Sequence, residues 1–370
     1  MNKTAIEWTD FSASPIKFRD TEGRAAWGCI KASAGCQNCY AEAISRRYRG
    51  PGAGFTAKRM EGLTPYVDEA ELKAMLSPRR LPAGSKCFLG DMTDVFGEWV
   101  SFGLLFRVFR TIWSRPDVTF QILTKRPERM RKFFEMWDDL EGEDFDFHDA
   151  RGPAEVRKHH PSGRGEIFAQ YVEPLGEPPP GAAYPTFDWI EGPRRWPRST
   201  AYDHVWLGTS VEDQHWADIR LPELLACPAA VRFISFEPLL GPVDLTTIRH
   251  GNDNDLPVLG TQWGPDWVIV GGESGPGARP CDIGWIRSIV GQCKAAGTPV
   301  FVKQVGAAPT SWCVDSLLDP GYEFEPDFCD VWEASEGPRC EGRCRMLRDR
   351  KGGDMAEWPE DLRVREMPHA

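Results

Sequence analysis

The stretch KCFLGDMTD, residues 86–94, carries the pattern on which the fold is read. A short apolar run reaches Gly90, and the chain turns polar at once with Asp91. The pattern recurs in TFQIL (119–123), HVWLG (204–208), VRFIS (231–235), WVIVG (267–271) and PVFVK (299–303). None of these runs alternates cleanly between apolar and polar residues, which suits strands buried on both faces of a parallel sheet. Between them, GEWVSFGLLFRVFRTIW (97–113) and DIGWIRSIVGQCKAAG (282–297) predict helices, the second stopping at Gly297. The runs start at 86, 119, 204, 231, 267 and 299, so successive starts are 33, 85, 27, 36 and 32 residues apart. Four of those intervals fit one strand–helix unit. The expected fold is α/β, a full or partial (β/α) TIM-type barrel.

The 85-residue interval holds about fifty residues beyond one unit, and the surplus between 140 and 200 is rich in Pro, Gly and charge. It reads either as an irregular cover for the barrel mouth or as a disordered insert. Regular spacing stops after Lys303. The expected division is a barrel from 1–139 and 201–310, an insertion at 140–200, and an irregular C-terminal extension at 311–370.

With 370 residues, 41% hydrophobic and including 15 Trp and 20 Phe, the chain can bury a large core. It has no apolar run of the roughly 18 residues a membrane span needs. MNKTAIEWTD lacks the apolar block of a secretory signal, so a cytoplasmic protein is expected. A net charge of −11 argues against indiscriminate binding to phosphate backbones. SRRYRGPGAGFTAKR (45–59) and TKRPERMRK (124–132) are local basic exceptions, either solvated surface or nucleic-acid contacts.

Eleven cysteines in a reducing compartment point to metal or redox chemistry rather than disulfides. Cys87, Cys227, Cys281 and Cys293 fall in apolar or helical segments and read as small buried hydrophobes. Cys313, Cys329, Cys340 and Cys344 follow no zinc spacing, though the last three leave a second metal site open. Cys29, Cys36 and Cys39 differ: in GCIKASAGCQNCYAE (28–42) they form C-x6-C-x2-C. A strand near Ala25–Ile30 would place them on the first strand-to-helix loop, at the carboxyl-end mouth. Three thiolates can hold three corners of a [4Fe–4S] cluster and leave one iron open to substrate or cofactor. Zinc is the rival; a structural site would need a fourth ligand, and the nearest histidine, His148, is distant in sequence.

In a parallel barrel, chemistry gathers where strands end. The runs lead into Asp91 to Asp94; Thr124, Lys125 and Arg126; Thr209, Ser210 and Glu212; Glu237; Gly272, Glu273 and Ser274; and Gln304 after Lys303. Asp94 and Asp213 also suit helix caps. A carboxylate, lysine or hydroxyl at nearly every end makes this convergence the candidate site.

A three-cysteine loop before such a barrel resembles the radical S-adenosylmethionine (SAM) superfamily. AIEWTD, the cysteine loop, LGDMTDVF, ILTKRPERM, LGTSVED, SFEPLLGPV, VGGESGPGARP and FVKQVG together resemble a narrower group, the phage-associated three-cysteine-motif family. The likeness spans nearly the whole chain outside 140–200. It implies that Cys29, Cys36 and Cys39 ligate the cluster and that SAM chelates the open iron. Reduction by an external electron donor would cleave SAM, and the resulting radical would abstract hydrogen from a substrate. Gly90, Asp91 and Met92 would correspond to the methionine-binding stretch, and Ser210 with Glu212 to the ribose motif. Gly271 and Gly272 fall on the adenosyl or substrate side, with Thr124, Lys303 and Gln304 as further cofactor contacts. Lys125, Glu237 and Glu273 are catalytic candidates, and Lys303 shares their position at a strand end.

The departures are local. The superfamily loop is usually C-x3-C-x2-C with an aromatic before the last cysteine; here the first interval is six, Asn38 precedes Cys39, and Tyr40 follows it. Loop closure tolerates the longer interval, because its cost grows slowly with length. A loose likeness to a DNA-repair enzyme of the superfamily, spore photoproduct lyase, points to a nucleic-acid or nucleotide substrate. Arg46, Arg47, Arg49, Lys58 and Arg59 would meet phosphates and Tyr48 would stack on a base. The competing readings are a zinc-stabilised binding module and a zinc hydrolase with Glu237 or Glu273 as general base.

Overall fold

The computed structural model describes residues 1–141, 203–250, 254–261, 263–310 and 347–368. Residues 142–200 of the expected insertion and Cys313, Cys329, Cys340 and Cys344 lie outside those residues, as does His148, while 140 and 141 end a helix. The strands are β1 (Asn2–Lys3), β2 (Phe11–Ala13), β3 (Ile16–Arg19), β4 (Ala25–Ala26), β5 (Thr64–Val67), β6 (Lys86–Leu89), β7 (Thr119–Thr124) and β8 (Val205–Ser210). They continue as β9 (Val231–Phe236), β10 (Ile248–His250), β11 (Asn254–Leu256), β12 (Trp267–Gly271), β13 (Cys281–Asp282), β14 (Val300–Gln304) and β15 (Pro309–Thr310). The helices are α1 (Tyr40–Arg49), α2 (Ala57–Met60), α3 (Glu69–Leu76), α4 (Phe102–Trp113), α5 (Pro127–Glu141), α6 (Gln214–Leu225) and α7 (Ile283–Ala296).

The fold is mixed α/β around a large, mostly parallel sheet of order β1-β2-β6-β7-β8-β9-β12-β14. β1 is antiparallel to β2; β2 to β6, β6 to β7, β9 to β12 and β12 to β14 are parallel. All six apolar runs are strands of this sheet. Every residue of β8, β9 and β12 is buried, which is why no alternation marks them. The chain divides into two compact units. The first is Met1–Ala32, Cys39–Gly208 and Ala226–Ala230; the second is Ser33–Asn38, Thr209–Leu225 and Val231–Ala370.

In the first unit, the strand expected near Ala25–Ile30 is corrected. The first parallel strand is β2, and β4 belongs to a separate antiparallel sheet of order β4-β3-β5. The helix expected from Gly97 begins at Phe102, because the Ser101 hydroxyl accepts the Leu104 N–H and sets the start there. The preceding residues form a loop instead, with Trp99 under the Arg126 guanidinium at 4.7 Å and Glu98 paired to the same group. α4 and α5 meet through phenylalanines: Phe133 lies 4.9 Å from Phe109 and 5.1 Å from Phe106.

In the second unit, α7 starts at Asp282, which accepts the Gly284 N–H, and stops at left-handed Gly297, as expected. Asp213 caps α6 by accepting the Trp216 N–H, whereas Asp94 does not cap α4. The described tail is tied down. Arg365 bridges Phe301 antiparallel, the Val302 N–H donates to Val364, and Trp358 and Leu362 are buried. With the Glu366 N–H donating to the Val300 carbonyl, these contacts give Val300–Val302 of β14 backbone partners, which protects that part of the sheet edge.

Gly271 and Gly272 have a packing reason to be glycine. A Cβ on Gly272 would stand 2.6 Å from the Val305 carbonyl oxygen and 2.9 Å from the Gly306 Cα. Both obstacles are backbone, so Gly272→Ala is expected to cost about 1–3 kcal/mol in urea unfolding through forced separation of the two segments.

Candidate functional site

In the first unit, polar residues past β6 and β7 grip both flanks of the cysteine loop. The Asp91 carboxylate accepts from the hydroxyls of Ser12, in β2, and Ser14, just past it, the first at 3.1 Å. Gly90 turns the chain with φ +83, a conformation that disfavours any side chain. The Met92 N–H donates to Ser14 Oγ, and the Met92 side chain is buried with Ala41 and Phe55. Cys29 and Cys39 pack against that same cluster, together with Trp27 and Ile44.

The loop's backbone is tethered there as well. The Thr93 hydroxyl donates to the Gly28 carbonyl at 2.6 Å, the Tyr40 hydroxyl to the Asp91 carbonyl at 2.5 Å, and Arg126 to the Ile30 carbonyl at 2.8 Å. Asp94 organises the end of β7: it accepts from the Thr124 hydroxyl, the Lys125 N–H and Arg126. Beside the loop, buried Glu42 accepts from Arg46 and the Phe55 N–H and pairs with Lys31.

In the second unit, the carboxyl ends of β8 and β12 hold Ser33–Asn38, the stretch containing Cys36. Glu212, fully buried, accepts from the Ser33 hydroxyl at 2.6 Å and pairs with Arg220 at 2.8 Å. Gly35 lies so close to that carboxylate that a Cβ would strike Oε1. Arg220 also donates to the Ser210 carbonyl at 2.7 Å and lies 3.9 Å over the Trp216 ring. Glu273 accepts from both Nε and Nη2 of Arg279, from the Arg279 N–H, and from the Asn38 amide. Arg279 Nη1 reaches the Ala34 carbonyl at 2.9 Å.

At the other two ends, Lys303 pairs with Glu237 at 2.9 Å, and the Gln304 amide donates to the Gly272 carbonyl at 2.8 Å. The residues chosen from strand ends thus include the anchors of the cysteine loop. Ser12, Ser14, Ser33, Asn38, Arg220 and Arg279 were not chosen. Arg220 and Arg279 lie only eight and six residues from Glu212 and Glu273, a nearness that could have found them, whereas the four others have partners far away in sequence.

Burial works to raise the Glu273 pKa, but the hydrogen bonds from Arg279 and Asn38 outweigh it and hold the carboxyl below its usual range. A depressed folded value means the stabilisation is complete above the ordinary glutamate value of 4.5 and is lost as pH falls through the lower, native one. Hydrogen exchange of residues 33–38 is therefore expected to accelerate as pH drops below 4.5, once the intrinsic pH dependence is divided out. Glu273→Gln is expected to flatten that response. An unchanged profile would show that Glu273 does not seat the loop.

Cys29, Cys36 and Cys39 are all half-buried. Cys87, Cys281 and Cys293 are fully buried, and burial pushes each of these thiols up to about 12. Among the described residues no three His, Cys, Asp or Glu side chains are gathered as a ligand group, and no helix is long and apolar enough to cross a membrane.

A family model described as "Protein of unknown function (DUF5131)" matches residues 3–351. No curated protein and no solved structure matches the chain.

Proposed function

The chain belongs to the DUF5131 family over residues 3–351, and on that premise we propose that it is a radical SAM-type enzyme built on a full or partial (β/α) barrel. One observation carries the reading. In each unit taken by itself, the cysteine loop is bonded to residues just past the carboxyl ends of parallel strands. The strands β2, β6, β7, β8, β9, β12 and β14 follow one another in chain order, the order in which such a barrel is wound.

The support for a cubane cluster is the chemistry of the donor types, three thiols within eleven residues, and not a ligand group already gathered among the described residues. Three half-buried thiols lie on one loop, two of them packed against the cluster of Ala41, Phe55 and Met92. Each unit places a guanidinium on the loop backbone, Arg126 at Ile30 and Arg279 at Ala34. Cys29, Cys36 and Cys39 would hold the [4Fe–4S] cluster. When bound, cluster and SAM supply reductive cleavage of SAM and hydrogen-atom abstraction.

The chain's own residues orient and shield. Glu212 and Glu273 hold the Cys36 stretch, Thr93 and Tyr40 hold its flanks, and Met92 and Phe55 limit water at Cys29 and Cys39. Ser210 and Asp91 remain the proposed SAM contacts at their strand ends. The zinc-hydrolase reading is less well supported. Glu273 is clamped by Arg279 below the usual carboxylate range, the opposite of what a general base near neutral pH requires.

Anaerobic reconstitution with iron, sulfide and SAM tests the proposal. Bound iron and sulfide in equal amounts, with release of 5′-deoxyadenosine on reduction, are expected. A colourless chain that keeps one tightly bound zinc and leaves SAM intact would overturn it.

A further inference from the structure

We infer that the outer face of α1, with the loop after it, is a stacking platform for a single-stranded nucleic acid, the substrate class of the site proposed above. The inference rests on that reading for its closeness to Cys29 and Cys39. Its surface argument is independent.

The described residues expose only four large hydrophobic side chains, and two of them, Tyr40 at 55% and Tyr48 at 68%, lie on this one helix. They are eight positions apart, about two turns, and stand exposed on either side of Ile44, which turns inward onto the Met92 cluster. Neither ring is loosely held. The Tyr40 hydroxyl is fastened to the Asp91 carbonyl, and Trp27 meets the Tyr48 ring edge-on at 6.4 Å. An aromatic ring that stays exposed while its orientation is fixed is what a base needs for stacking. Trp27 itself packs on the cluster that receives Cys29 and Cys39, so the platform adjoins those thiols.

Charge points to the same ligand. The chain carries a net −11, yet residues 31–61 hold six Lys and Arg against two Glu. Glu42 takes up Lys31 and Arg46, and Arg59 is turned onto the Ala53 and Gly54 carbonyls. Arg47, Arg49 and Lys58 remain exposed, with Arg47 at 6.0 Å from the Tyr48 ring. Exposed rings between exposed cations match bases alternating with phosphates, and they favour a strand over a duplex, whose bases are already stacked on each other.

The test is fluorescence anisotropy with a labelled oligothymidylate of about a dozen nucleotides, using the full chain, wild type and variants. Tyr48→Ala is expected to weaken binding about 5- to 150-fold. Arg47→Ala, Arg49→Ala and Lys58→Ala are each expected to lower the salt slope by about 0.7. All four side chains are exposed, so the fold should survive, and iron loading should match wild type. Unchanged affinity in Tyr48→Ala, equal affinity for a duplex, or equal competition by polyglutamate would overturn the platform. Strand binding that persists in chains failing to take up iron would support the platform and count against the radical-enzyme reading alone.

Discussion

Cys29→Ala, Cys36→Ala and Cys39→Ala are each expected to lose the cluster and, with it, all release of 5′-deoxyadenosine. Three thiolates are the minimum that leaves one iron open, so removing any one leaves two corners without protein ligands. The effect should not depend on which cysteine is chosen. Cys293→Ala is the control. Its thiol is buried and pushed up to about 12, so it loses packing but should keep iron. The measurements are bound iron and sulfide per chain, followed by product release under dithionite. Iron retained at wild-type level in Cys36→Ala would refute the three-ligand assignment.

Arg220→Ala is expected to have the largest effect on stability, about 3–5 kcal/mol in urea unfolding. Glu212 has no exposed surface, and Arg220 is its ionic partner at 2.8 Å. Truncation removes the ionic partner of a buried carboxylate and takes a donor from the Ser210 carbonyl. The Glu212→Gln/Arg220→Met pair separates charge from shape: it removes both ions while keeping volume, so most of the loss should be recovered. Hydrogen exchange at Ser33–Asn38 should rise in the single variant and fall back in the double one. A single-variant loss under about 1 kcal/mol would mean that the pair behaves as a solvated surface bridge.

The strands were legible because burial on both faces leaves a local mark: TFQIL or WVIVG cannot be taken for a surface segment. β2 was not, since FSA is only three residues long and two of them are small or polar. Its place is set by pairing with β6, and the residues from Ile16 to Ala26 are taken up by a different sheet. α4 starts later than its apolar pattern suggests, because Trp99 and Val100 continue that pattern while the Ser101 cap and the Arg126 contact end it. Of the site, the polar strand ends were visible but their partners were not. Asn38 and Glu273 are separated by 235 residues, and no spacing rule links an amide to a carboxylate over that distance.

From sequence alone follow the α/β alternation, the six buried strands, the two capped helix boundaries at Asp282 and Gly297, and the singular spacing of Cys29, Cys36 and Cys39. Each depends on interactions within a few residues or on burial averaged over a strand. Only the tertiary structure assigned Glu212 to Arg220 and Ser33, Glu273 to Arg279 and Asn38, and Asp91 to Ser12 and Ser14. Glu212 and Arg220 are eight residues apart and Glu273 and Arg279 six, outside any helix or strand spacing, while Ser33, Asn38, Ser12 and Ser14 come from distant segments. All are hydrogen bonds of fixed direction whose partners are decided by what the folded backbone brings within about 3 Å.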